Sequence, residues 1–130
     1  MWRLALVSLV TLTACGGPSA PAVRLNEKFV LRRGEAVTIA DTGIAIRFAG
    51  VEGDSRCPAD ALCIQGGDAI VRIEVTSANG SVTTYDLHTG DMRPAVLGSL
   101  TIALVQLSPY PFSARAIEPD DYRATLRVTD

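Results

Sequence analysis

From residue 28 onward the chain alternates apolar and polar positions with a period of two far more than it repeats at helical spacing. In Ile44-Ala45-Ile46-Arg47-Phe48, the residues Ile44, Ile46 and Phe48 share a face. The run Ala69 to Val75 turns Ala69, Val71, Ile73 and Val75 inward and leaves Arg72 and Glu74 outward. Near the end, Tyr122, Ala124, Leu126 and Val128 oppose Arg123, Thr125, Arg127 and Thr129. Leu100 to Leu107 is more uniformly apolar, as expected of a central strand covered on both faces. Shorter candidate strands are Lys28 to Arg32, Ala36 to Ala40, Ser81 to His88 and Arg93 to Leu97. Turn signals separate them at Arg33-Gly34-Glu35, Asp41-Thr42-Gly43, Ala78-Asn79-Gly80 and Thr89-Gly90-Asp91. Asn79-Gly80 is a hairpin signal because both residues tolerate positive φ. Ser113 to Asp121 has room for one helical turn, limited by Pro119. Seven to eight short strands in about 100 residues predict an all-β fold: an antiparallel β-sandwich, Ig-like or Greek-key, or a small barrel.

The whole chain has 130 residues, 48% of them hydrophobic, with a formal net charge of −2. That composition excludes a wholly disordered chain and allows one domain with a tail. The near-neutral balance also argues against a nucleic-acid partner, which calls for a basic stripe. Part of the hydrophobic content sits at the N-terminus. Met1-Trp2-Arg3 carries one positive charge, and Leu4 to Ala14 is apolar, too short to span a bilayer at about 20 residues.

Leu12-Thr13-Ala14-Cys15 resembles the lipobox of bacterial lipoproteins. The resemblance implies acylation of Cys15 (palmitate being the typical chain), cleavage just before it, and a membrane partnership through N-terminal acyl chains. It divides the chain into a signal peptide (1–14), an acylated cysteine with a Gly/Pro-rich tether (15–26) and a single β domain (27–130). It also implies a bacterial cell-envelope location, on the outer membrane facing the periplasm if the organism has two membranes, because Gly16 and not Asp follows the cysteine. Loss of Arg3 with the leader makes the mature chain one unit more negative than −2. No run of basic residues is present to bind anionic lipid, so acylation alone would hold the protein on a membrane.

With Cys15 assigned to lipid, Cys57 and Cys63 remain, and an exported compartment favours a disulfide between them. Pro58 stiffens the enclosed turn, and Gly66-Gly67 lets the chain re-enter a strand at Asp68. Three uses compete: a staple for a long loop, a rigid epitope for a partner, or thiol redox and metal chemistry. The C-x5-C spacing and the lack of a neighbouring His speak against the third. Asp54, Arg56, Pro58 and Asp60 are the candidate recognition residues of this loop. Asp54 and Arg56 equally suit a structural use, since a short carboxylate before a turn accepts backbone N–H bonds and Arg bridges carbonyls.

The Asp54-Ser55-Arg56-Cys57-Pro58 stretch, the following Cys63 and Gly66 or Gly67 are similar to a group of small bacterial secreted proteins and lipoproteins carrying a DSRCP motif and a second Cys. Leu104-Val105-Gln106-Leu107-Ser108-Pro109-Tyr110-Pro111 resembles the L-x-x-L-x-P-Y-P segment of that group, and Tyr122 to Val128 its closing strand. The likeness runs loosely over residues 28 to 129 and departs at Gln65, where the group more often has Trp. It implies a β fold in the envelope and adds no activity.

Chemistry is otherwise sparse. His88 and Asp86 lie two apart on one strand face, but no Gly-x-Ser-x-Gly supplies a nucleophile. Glu52, Asp54, Asp60 and Asp68 are close in sequence without the spacing of a calcium loop. Met92 and His88 with the cysteines make a weaker copper set. No catalytic residue, metal site or cofactor is therefore assigned. The expected function is a non-enzymatic binding or structural module, with an envelope protein or polysaccharide as partner. The alternative is a small envelope enzyme or metal-handling protein using His88 and the loop acids. Tyr110, between Pro109 and Pro111, reads as a strand terminator packed over the core or as an exposed recognition aromatic.

Overall fold

A computed structural model describes residues 20–130. The signal segment 1–14, Cys15 and the lipobox lie outside the described residues. Nine strands follow in order: β1 (Ala22–Val23), β2 (Lys28–Arg32), β3 (Ala36–Ile39), β4 (Ile44–Asp54), β5 (Ala69–Thr76), β6 (Val82–His88), β7 (Ala95–Leu97), β8 (Leu100–Ser108) and β9 (Arg123–Thr129). They form a five-stranded sheet in the order β1-β3-β4-β5-β6 and a four-stranded sheet in the order β2-β9-β8-β7. The fold is an all-β sandwich, as the alternation predicts. The chain changes sheet after β1, after β2 and after β6.

Each inward set packs as the period-two pattern requires. Ile46, Phe48, Val71 and Ile73 from one sheet meet Ile102, Leu104, Ala124, Leu126 and Val128 from the other, all at most 3% exposed. Burying Phe48 and Leu126 contributes roughly 2 kcal/mol each by the usual transfer value. On the outer face of the five-stranded sheet, opposite charges stand directly across from each other. Arg47 pairs in register with Glu74, and Arg72 with Asp86. Their ion pairs close at 3.3 Å and 2.9 Å, and Arg72 also reaches Glu52 at 3.2 Å.

Four expectations are corrected by the tertiary arrangement. Pairing begins ahead of Glu27, because β1 runs parallel to β3 and the Thr38 amide donates to the Pro21 carbonyl. β8 is central in its sheet but covered on one side only, with Thr101, Ala103 and Val105 half-buried on the outer side. In the β5–β6 turn only Gly80 takes positive φ, at 87°. Asn79 serves instead through its side chain, whose Oδ1 accepts the Ser81 amide. Pro119 begins the single turn of 3-10 helix at Pro119–Asp121 and does not curtail it, since a helix start needs no N–H there.

Antiparallel order sends β4, β6 and β8 out at the same end at which β5, β7 and β9 begin. The long connections 55–68, 89–94 and 109–122 therefore gather at one end of the sandwich.

Candidate functional site

The end loops are built around one buried charge. Arg56 is 8% exposed although it lies in a connection. Its Nε and Nη2 donate to the two carboxylate oxygens of Asp54, each at 2.8 Å. The remaining donors reach across the sandwich to the carbonyls of Leu107 and Pro109, at 2.9 Å and 3.0 Å. Asp54 also accepts the Arg56 amide and the hydroxyl of Tyr122, the latter at 2.8 Å. The guanidinium lies 5.4 Å from the centre of the Tyr110 ring. Each guanidinium nitrogen and both carboxylate oxygens thus have a partner, the condition under which a buried ion pair persists.

Electrostatics follow from that geometry. Burial pushes the Asp54 carboxyl up, but hydrogen bonds from Arg56, Tyr122 and the Arg56 amide outweigh it and hold the group below the usual carboxylate range. The hydrogen bond to Asp54 raises Arg56. Burial first, and then Asp54, push the Tyr122 hydroxyl up to about 12.

On this base sits the cysteine loop. Cys57 and Cys63 form a disulfide with Cα atoms 6.0 Å apart. A loop of this size gives about 2 kcal/mol of stabilisation by restricting the unfolded chain. Two further ties hold it to the 109–113 segment: the Ala59 amide donates to the Pro111 carbonyl at 2.8 Å, and Asp60 accepts the Ser113 amide at 2.9 Å. At the exit, a Cβ on Gly67 would lie 1.4 Å from the Ser55 carbonyl oxygen, whereas Gly66 has open space. Only the second glycine is required, for the close approach of two backbones.

The recognition residues expected from sequence separate. The side chains of Arg56 and Asp54 are 5% and 12% exposed, turned into the base of the loop and not presented by it. Pro58 is half-buried, and the exposed Asp60 is committed to Ser113. What the loop presents is Leu62 and Ile64, both fully exposed either side of Cys63. Tyr110 and Phe112, 58% and 56% exposed, stand on the segment that the loop is tied to. Tyr110 is therefore not packed over the core. A groove of about 480 Å³ runs beside them, lined by Ser108, Tyr110, Phe112, Arg115, Ile117 and Arg123. A second, of about 310 Å³, lies between the cysteine loop and β8, with Gln106 and Met92 in its wall.

Compared with known protein families, curated proteins and solved structures, the chain matches none. Its chemistry therefore has to be judged from its own side chains.

His88 Nδ1 bonds to Asp68, not to Asp86, which is taken by Arg72. Asp68 also accepts the Gly90 amide at 2.8 Å and the Thr89 hydroxyl at 3.3 Å, so the pair clamps the β6–β7 turn to the start of β5. The Asp68 hydrogen bond raises His88 above its ordinary value. Burial pushes Asp68 up, but the bonds from His88 and Gly90 outweigh it and lower the carboxyl. The four loop acids face four different partners: Glu52 meets Arg72, Asp54 meets Arg56, Asp60 meets Ser113 and Asp68 meets His88. No group of three or more His, Cys, Asp or Glu side chains able to hold a metal ion occurs among the described residues. No helix among them is long and apolar enough to cross a membrane.

The residues that sequence reasoning missed were in plain view as composition. Leu62 and Ile64 flank a loop cysteine, where nothing in a strand pattern accounts for two aliphatics. Tyr122 and Phe112 gave no such signal. Tyr122 reads as one more core position, and its hydroxyl meets Asp54 only because β9 lies beside the loop base.

Proposed function

We propose that the protein is a lipid-anchored, non-enzymatic binding module of the bacterial cell envelope, held through acyl chains on Cys15 and engaging an envelope protein. The observation that carries the binding role is the pair Leu62 and Ile64, each 104% exposed, on a loop closed by a disulfide and pinned at its base by the Arg56–Asp54 pair. Aliphatic side chains are costly to leave in water, and a rigid loop that presents them loses little entropy on binding. Tyr110 and Phe112, exposed on the segment to which the loop is tied, add residue types that dominate protein contacts. A polysaccharide site would instead need aromatic faces backed by convergent polar groups, and Asp54 and Arg56 are already spent on each other. The anchor rests on the lipobox resemblance at Leu12 to Cys15.

A photo-cross-linking amino acid placed at position 62 or 64 in growing cells tests the binding role. A discrete cross-linked species is expected from both positions, lost when Cys57 and Cys63 are changed to Ser, and missing from a probe at Thr83. Equal cross-linking from all positions, or none from 62 and 64, would overturn it. The anchor is tested separately by fractionation: Cys15→Ala protein should leave the membrane fraction, and its retention there would defeat lipidation.

A further inference from the structure

The two outer faces of the sandwich are charged in opposite ways. On the five-stranded sheet each arginine stands across from an acid. On the four-stranded sheet the register does the reverse: Lys28 is directly opposite Arg127, and Arg32 directly opposite Arg123. Like charges facing each other across two strands destabilise a sheet, so the fold itself gains nothing from this arrangement. The strand residues that share this face include no acid: beside the cations it carries Val30, Thr125, Thr129, Thr101, Ala103, Gln106, Ser108 and Val96. Among the described residues, the only carboxylate within ion-pair distance of these four cations is Glu35, 3.7 Å from Arg32. Arg123 spends its guanidinium on the carbonyls of Asp120 and Tyr122, and the buried Nε of Arg127 has no hydrogen-bond partner.

We infer that this face docks on an anionic phospholipid surface. Lys28 and Arg127, directly opposite each other with neither in an ion pair among the described residues, can both reach one phosphate group. The two pairs are four residues apart on their strands, roughly 13 Å. Val30, 56% exposed, stands between Lys28 and Arg32 on β2, and Val96, 63% exposed, lies on the edge strand β7 of the same sheet. Cations interspersed with aliphatics suit the headgroup boundary of a bilayer. Single-stranded nucleic acids and glycans are gripped by stacking on aromatic rings, and this face carries none. The basic cluster is invisible along the chain because its halves lie at residues 28–32 and 123–127. The inference does not depend on acylation of Cys15 or on the partner loop.

Binding of the full chain to phosphatidylcholine vesicles, with and without phosphatidylglycerol, tests it. The readout is the gain that phosphatidylglycerol gives, since an apolar leader or an acyl chain contributes to both vesicle types. The gain should shrink about fivefold for each cation removed in Arg32→Gln/Arg127→Gln and fall with added salt. A chain carrying Arg47→Gln/Arg72→Gln loses the same charge from the opposite sheet and should keep the gain. Equal loss in both variants, or no gain in the native chain, would overturn the inference. So would tighter binding to a single-stranded oligonucleotide or an anionic polysaccharide, lost in the Arg32/Arg127 variant.

Discussion

Arg56 ties four segments together from a position that looks, in one dimension, like a surface loop. Its partners are the end of β4, one carbonyl at the end of β8 and one just after it and, through Asp54, Tyr122 just before β9. Changing it to Met removes the positive member of a buried pair, leaves the Asp54 charge with only the Tyr122 hydroxyl and a backbone amide, and takes the guanidinium donors from two carbonyls. The expected loss is about 3 kcal/mol in urea unfolding, larger than for most surface arginines. Asp54 adds a pH signature. Its carboxyl is lowered in the folded state, so its contribution is present above the ordinary value of 3.8 and is lost as pH falls through the lowered one. The native chain should therefore lose stability on that acid limb more steeply than Asp54→Asn, as followed by circular dichroism. Glycine supplies a sharper contrast. Gly67→Ala forces a Cβ into the Ser55 carbonyl and should cost upwards of about 2 kcal/mol, while Gly66→Ala should stay within roughly 0.5 kcal/mol.

At the level of elements, two devices hold the loop end and they respond to different conditions. The Cys57–Cys63 link acts on the unfolded chain, so the Cys57→Ser/Cys63→Ser variant should lose about 2 kcal/mol in denaturant midpoint measurements and still fold. The surviving Arg56 cluster and the Ala59–Pro111 and Asp60–Ser113 bonds are the reason the sandwich should persist. The His88–Asp68 clamp responds to pH in the opposite sense to Asp54. His88 is raised by Asp68, so the contribution is complete below the ordinary value of 6.5 and lost as pH rises through the higher folded value. The protection factor of the Gly90 amide against hydrogen exchange should fall over that range in the native chain and stay constant in His88→Gln. The global effect should be small, because both side chains are more than a third exposed.

Over the whole molecule, the sandwich separates three surfaces. One outer face is a ladder of opposite charges, the other carries like-charged pairs, and one end presents aliphatics on a braced loop. Such separation lets a small domain lie on one surface and hold a partner with another. If the basic face meets lipid while the loop meets protein, the two variants that disable them should fail independently. Removing Leu62 and Ile64 should abolish cross-linking and leave vesicle binding unchanged, and Arg32→Gln/Arg127→Gln should do the reverse. Measuring both properties on both variants checks this, and coupled loss in either would show that one surface serves both.

The strands and the core were legible because alternation is a local property: which face a residue takes is set by its immediate neighbours. The Cys57–Cys63 pairing followed from counting thiols once Cys15 was set aside. Partnership across the sandwich was not legible, because it depends on register between segments far apart in the chain. Asp86 and His88 looked like a pair, yet Arg72 took one and Asp68 the other. Asp54 and Arg56 looked presentable, yet the carbonyls that draw Arg56 inward belong to residues 107 and 109. Lys28 and Arg127 showed no cluster until β2 and β9 lay side by side. Local sequence set which residues face out, and only the pairing of distant strands decided what those residues face.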